Sequence, residues 1–214
     1  MKATAENYKD ASAIVTVKVA KKAETPTPTP SEEIVTYKIL NVAKTAVTKT
    51  EGNKAFNLGV KTKVKASVSY KSSAKSVAAV DKKGKVTVKG PGRAVITVTG
   101  KAAGMETEAV KITVTVKPSA KLSAKASAQN GNKVNVTWKR NKKATGYQVV
   151  VATDKSFKKV VKTVNVKSNK KVKAIIGKLK AGQKYYVRVR SYKKAAGGNV
   201  YGNWAKTKPV KAIK

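Results

Sequence analysis

The chain has 214 residues, no cysteine, no histidine and a formal net charge of +38. The missing thiolates and imidazoles exclude a Cys/His zinc site, a cysteine nucleophile and a Ser-His-Asp triad. Its length suits one large domain or two small ones, each able to bury a core, and no long stretch carries apolar residues at helical spacing.

Residues 1–22 contain one alternating run, Ala13-Ile-Val-Thr-Val-Lys-Val19. A lone strand cannot bury its valine face. Val15-Thr-Val-Lys-Val19 aligns with Ile112-Thr-Val-Thr-Val116, so the segment reads as the terminal strand of a preceding immunoglobulin-like repeat; chance likeness between two valine-rich strands is the competing reading. Residues 23–33, with alternating Thr-Pro, form an extended linker.

Residues 34–117 read as short strands. Ile34 to Leu40 opens the run, and Val64, Ala66, Val68 and Tyr70 alternate in the next clear strand. Val77 and Ala79, then Val86 and Val88, flank a turn at Asp81-Lys-Lys-Gly84. Gly90-Pro91-Gly92 breaks the chain, Ala94, Ile96 and Val98 alternate, and Val110 to Val116 closes the segment. Short strands at this spacing suggest a sandwich. Two stretches, Tyr70-Lys-Ser-Ser-Ala-Lys-Ser-Val-Ala-Ala-Val-Asp-Lys-Lys-Gly-Lys-Val86 and Gly90-Pro-Gly-Arg-Ala-Val-Ile-Thr-Val98, resemble the bacterial immunoglobulin-like group 2 domain. Asn53-Lys-Ala-Phe-Asn-Leu-Gly59 looks like a variant found in large Lys-rich surface proteins of gut Firmicutes. The resemblance implies adhesion or spacing at a cell surface, with no shared catalytic residue.

Lys117-Pro118-Ser119 reads as a hinge, and residues 118–214 as a second sandwich. Val134, Val136 and Trp138 alternate inward, as do Tyr147, Val149 and Val151; Asp154 to Phe157 turns. Val160 to Val166 and Val172 to Ile176 are further strands. Ala181-Gly182 turns into a strand whose Tyr185, Val187 and Val189 point inward. Ala195 to Asn199 makes a hairpin loop toward a last strand at Thr207 to Ile213. Trp138, Ala144-Thr-Gly-Tyr147, and Leu179 with Tyr185 resemble a fibronectin type III domain: its early-strand core tryptophan, its third-strand opening, and its leucine and corner tyrosine. Ala181 departs from the proline many members carry there. The expected fold is therefore all-β, two tandem immunoglobulin-like β-sandwiches with an amino-terminal strand remnant and a Thr-Pro linker.

Carboxylates number ten. Glu32-Glu33 in the linker and Glu106/Glu108 in a loop read as charge balancing rather than as a hydrolytic pair across a pocket. Asp81 stands alone, which does not suit Ca²⁺. Neither a catalytic residue, a metal nor a cofactor is expected. The best site candidate is an outer face shared by Tyr186, Arg188, Arg190, Tyr192, Tyr201 and Trp204. Aromatic faces bind sugars, and aromatic plus cationic faces bind single-stranded nucleic acid; cation–π and cross-strand packing within the sandwich is the competing reading.

Arginine occurs at Arg93, Arg140, Arg188 and Arg190, and the other basic residues are lysine. Specific phosphate or base recognition favours the arginine fork. The charge thus reads as a solvated surface with loose attraction to polyanions, without specific nucleic-acid recognition. No apolar run approaches a membrane span. Met1 to Ala5 lacks a signal-peptide pattern, so an export signal is expected outside this segment. The reading is a non-catalytic spacer or adhesion module of a large bacterial cell-surface or secreted protein. Its candidate partners are a host glycoprotein, an immunoglobulin, a glycan, an anionic wall polymer and other domains of the parent protein. The alternative is a carbohydrate- or anionic-polymer-binding accessory module of an extracellular enzyme. An isopeptide crosslink is left open.

Overall fold

Alternating valine and threonine place β-branched side chains on both faces of a pleated strand, and the chain uses them accordingly. The structure, a computed structural model, describes residues 38–119 and 122–214; the expected strand at 13–19, the Thr-Pro linker and the start of the strand expected from Ile34 lie outside them. The described residues form strands and no helix.

The first sandwich contains β1 (Leu40–Asn41), β2 (Ala46–Thr50), β3 (Phe56–Asn57), β4 (Lys61–Thr62), β5 (Ser67–Ser72), β6 (Ala78–Val80), β7 (Lys85–Val88), β8 (Gly92–Lys101) and β9 (Glu108–Lys117). One sheet runs β2-β9-β8-β5 and faces β3-β7-β6, with β1 paired to β4. β2 lies parallel to β9, while β8 and β9 pair antiparallel. Ala94, Ile96, Val98, Ile112, Val114 and Val116 from that long pair meet Ile39, Leu40, Ala78 and Val86 in one core. Burying each of these valine, leucine and isoleucine side chains contributes about 1.5–3 kcal/mol.

Four expectations for this half are corrected. Lys38 and Ile39 are not in a strand. The backbone N–H groups of Ile39 and Leu40 donate to the Glu108 carboxylate at 2.6 and 2.8 Å, which holds both side chains in the core. Glu108 is therefore a structural clamp on β9 and not a loop charge. Val64 and Ala66 precede the strand, because pairing with β8 ends at Ser67 opposite Lys101. The core residue of β6 is Ala78, whereas Val77 and Ala79 are half-buried. A turn in which the Val77 and Ala78 N–H groups both donate to the Ala74 carbonyl shifts the strand's phase by one residue. The Asp81 turn forms as expected: its carboxylate accepts from the Lys83 and Lys85 N–H groups, and Gly84 adopts φ +76°. A Cβ at Gly84 would meet the Tyr70 ring at 2.9 Å.

The second sandwich contains β10 (Ala124–Gln129), β11 (Lys133–Trp138), β12 (Gly146–Ala152), β13 (Val160–Val166), β14 (Lys173–Ile176), β15 (Lys184–Ala195), β16 (Gly198–Tyr201), β17 (Ala205–Lys206) and β18 (Val210–Lys211). Sheet β10-β11-β14 faces β13-β12-β15-β16, with β17 and β18 also on β15. Val134, Val136, Trp138, Tyr147, Val149, Val151, Tyr185, Val187 and Val189 belong to its core. The Trp138 and Tyr147 rings lie 5.1 Å apart, tilted by 56°. The Tyr185 hydroxyl accepts from the Lys180 N–H at 2.9 Å, which makes the expected corner. The returning strand differs from expectation. It begins at Gly198, not Thr207, and runs as three short pieces. Pro209, in the second gap, has no N–H to offer the ladder.

Lys117-Pro118-Ser119 is more than a bare hinge. Glu51 accepts from the Ser119 N–H at 3.2 Å and pairs with the Lys143 ammonium at 3.0 Å. Arg93 on β8 donates through Nη1 to the Ala196 carbonyl at 2.8 Å. These contacts tie the first sandwich to loops of the second.

Trp138→Ala should destabilise the second sandwich by about 3–5 kcal/mol, because a large site closed on both sides is emptied. Chemical unfolding followed at Tyr185 measures this, and a loss below about 1 kcal/mol would place the ring outside the core.

Candidate functional site

Strand β15 builds the candidate face. With Tyr185, Val187 and Val189 committed to the core, period two turns Tyr186, Arg188, Arg190 and Tyr192 outward. Across β12 they meet Ala152, Val150, Gln148 and Gly146 respectively. None of these neighbours is larger than valine except the polar Gln148, which leaves room for rings from two loops to fold over the sheet. The Arg188 guanidinium lies 4.2 Å from the centroids of both Phe157 and Trp204. Arg190 lies 4.2 Å from Trp204 and 3.8 Å from Tyr201. Tyr201 then meets Tyr192 at 6.0 Å. The result is a continuous stack in the order Phe157, Arg188, Trp204, Arg190, Tyr201, Tyr192.

The stack holds two cations close together without a carboxylate among the described residues. Arg190 Nε donates to Gln148 Oε1 at 2.9 Å, and Gln148 Nε2 in turn donates to Asn165 Oδ1 at 3.1 Å. Burial lowers the pKa of Arg188. Burial also lowers that of Arg190, the Tyr201 hydroxyl raises it, and the neighbouring Arg188 charge lowers it. Each ring–cation contact contributes about 0.5–2 kcal/mol, which offsets that desolvation.

All six expected residues come together. Their roles differ. Tyr192 is 7% exposed, and its hydroxyl sits where a Cβ on Gly146 would meet it at 2.8 Å. Tyr186, Arg188, Arg190, Tyr201 and Trp204 are half-buried. Tyr186 packs beside Val150, Ala152 and Phe157. The ring faces that the two guanidinium groups cover are not free to stack on a sugar.

Phe157 and Gln148 belong to this face and were not among its expected members. Phe157 reads as the end of a turn, and it adopts φ +61°, a left-handed conformation unusual for a bulky residue. Asp154 holds it there. The Asp154 carboxylate accepts from the Ser156 hydroxyl and from the Lys158 and Lys159 N–H groups. The Ser156 hydrogen bond, with further help from those backbone donors, lowers the Asp154 pKa from 3.8 to about 2.

A groove of ≈ 600 Å³ opens beside the stack. Arg93, Thr115 and Lys117 of the first sandwich line one wall, and Arg190, Tyr201 and Trp204 of the second line the other.

Two parts of the chain match known domain families. Residues 117–207 match the fibronectin type III domain, and residues 62–102 match the intimin immunoglobulin-like domain. No curated protein matches the chain. Among solved structures, the chain is similar to a two-domain fibronectin type III segment of chicken tenascin. The identity is 18% over 80% of this chain and 97% of that one, with a TM-score of 0.48. A fibronectin type III-like protein of Clostridium thermocellum is 22% identical over 43% of this chain and 90% of that one, with a TM-score of 0.32. Titin domains are 12% identical over 82% of this chain, which spans 66% of their length, with a TM-score of 0.37.

Arg190→Lys should destabilise the second sandwich by about 1–2 kcal/mol although the charge is kept, because an ammonium cannot lie flat between two rings. Equilibrium unfolding of the variant tests this, and wild-type stability would show that the stack contributes nothing.

The Asp154 loop carries a pH prediction. The folded pKa is depressed, so the stabilisation is present above 3.8 and is lost as pH falls through about 2. The Lys158 and Lys159 amide resonances should titrate with a midpoint near 2. A midpoint at the ordinary carboxylate value would show that the loop is not held by this charge.

Proposed function

We propose that this chain is a non-catalytic spacer and adhesion segment of a larger bacterial cell-surface or secreted protein. Immunoglobulin-like and fibronectin type III domains, both matched here, are usually non-catalytic modules of surface or adhesion proteins. In this reading residues 34–117 are a group 2 bacterial immunoglobulin-like domain of the kind carried by Firmicutes. Residues 118–214 are the fibronectin type III module, and residues 1–22 end a preceding repeat. The partner is a host glycoprotein, an immunoglobulin, a glycan or an anionic wall polymer, met on the face bearing Tyr186, Arg188, Arg190, Tyr192, Tyr201 and Trp204.

The tied junction carries the reading. Glu51 and Arg93 hydrogen-bond backbone groups beyond the first sandwich, as a spacer that must present a face in a set direction requires. The described carboxylates favour it too. Of the five described carboxylates, Glu51, Asp81, Glu108 and Asp154 accept from backbone N–H groups and so are occupied structurally, and Glu106 has no second carboxylate free to pair with it. The groove with Tyr201, Trp204 and the Asn199 and Asn203 amides favours the second reading, an accessory module for carbohydrate or anionic polymer.

An array of host glycoproteins, immunoglobulins, glycans and wall polymers tests both readings. We expect at least one target to be retained at moderate salt, with no turnover. Hydrolysis of a polymer by the chain would overturn the non-catalytic reading. Retention only of targets that moderate salt releases would reduce adhesion to bulk charge.

A further inference from the structure

We propose that the groove at the junction of the two sandwiches is a binding site for the oxyanion of a sugar phosphate or sugar acid. The assignment rests on the reading of the chain as a module for surface polymers. It is tested with small free anions so that the two can fail separately.

Arg93, Lys117 and Arg190 converge on one groove, and among the described residues no carboxylate lines it. The two arginines are held in place before any ligand arrives. Arg93 is anchored through Nη1 to the Ala196 carbonyl at 2.8 Å and lies 3.5 Å from that of Gly198. Arg190 is fixed through Nε to Gln148 and lies flat against Tyr201 and Trp204. That leaves the Nη edge of Arg190 without a protein acceptor among the described residues. A planar fork with a free edge matches the two oxygens of a phosphate or carboxylate. Such an anion would also relieve the repulsion between Arg190 and Arg188, which no carboxylate among the described residues relieves.

The remaining lining suits the rest of such a ligand. The Asn199 and Asn203 amides are exposed at the groove and can meet sugar hydroxyls. The volume, ≈ 600 Å³, falls within the range of small-molecule sites and exceeds what a bare phosphate needs. Because each sandwich supplies one wall, the ligand bridges them, and its binding depends on the junction staying closed.

Bulk charge is the competing explanation, since any polyanion will stick to a chain of net charge +38. The probes are therefore inorganic phosphate, glucuronate and neutral glucose, titrated into the full chain while the Trp204 indole and Arg190 Nε resonances are followed. Saturable shifts with phosphate or glucuronate are expected, the tighter of the two identifying the source, and none with glucose. Arg93→Gln with Lys117→Gln should weaken binding by about tenfold or more. Lys162→Gln with Lys173→Gln, which removes the same charge from β13 and β14, should leave it unchanged. Thr115→Glu puts a carboxylate in the wall without touching the junction hydrogen bonds, and should abolish binding in a folded chain. Equal losses in the two double variants, shifts that never saturate, or glucose binding as well as the anions would each overturn the site. If the anions fail while a polymer is retained on the array, only the groove falls; if they bind while the array is blank, only the adhesion reading does.

Discussion

The stacking of Arg188 and Arg190 against Trp204 is the interaction from which the functional half of the molecule follows. β15 must satisfy two environments at once, a core on one side and a pair of half-buried cations on the other. Without carboxylates, those cations are tolerable only if aromatic faces and the Gln148 amide replace lost water. This draws the Asp154–Phe157 turn and the Gly198–Trp204 segment over the sheet from opposite edges. The same hairpin then presents the Ala196 carbonyl to Arg93 on the first sandwich. The stack, the junction and the groove thus share residues: Arg190, Tyr201 and Trp204 line the groove, and the β15–β16 hairpin carries the Ala196 carbonyl that Arg93 meets.

Local periodicity made much of this legible in the sequence. The inward sets at Ala94, Ile96 and Val98, at Val134, Val136 and Trp138, and at Tyr185, Val187 and Val189 all alternate, and all are buried. The outward set on β15 follows from the same parity. What sequence reading missed lies where chain-distant contacts override the local pattern. Ala78 is in the core because a turn anchored on the Ala74 carbonyl resets the phase just before the strand. Glu108 looked like a loop charge because its partners, the N–H groups of Ile39 and Leu40, are 69 and 68 residues away. Phe157 looked like a turn residue because its partner Arg188 belongs to a strand further along the chain. Arg93 carried no signal at all, since it acts across the junction on a hairpin 103 residues away. Parity puts Tyr192 on the outer face, and Gly146 opposite it lets the ring sink below the surface.

Charge is distributed by the same logic. Lysine, a hydrated point charge on a flexible stem, lines exposed positions such as Lys162 on the edge strand β13, where it also discourages edge-to-edge pairing. Four of the five described carboxylates, Glu51, Asp81, Glu108 and Asp154, brace backbone at turns and ends, and the one ion pair among the described residues, Lys143 with Glu51, sits at the junction. Net charge therefore says little about what holds the fold together.

Arginine is kept for positions where planarity matters. Arg140 donates to Asn169, whose own amide braces the Lys142 and Ala144 carbonyls beside the Tyr147 hydroxyl. Arg188 and Arg190 are stacked, and Arg93 reaches across to backbone carbonyls. Replacing any of these with lysine would keep the net charge and lose the geometry. The distinction separates two kinds of attraction to anions that the composition alone merges. A diffuse one comes from the lysines and fades with salt. A local one comes from fixed guanidinium edges in a groove whose walls come from both sandwiches, and it depends on how the two are held together.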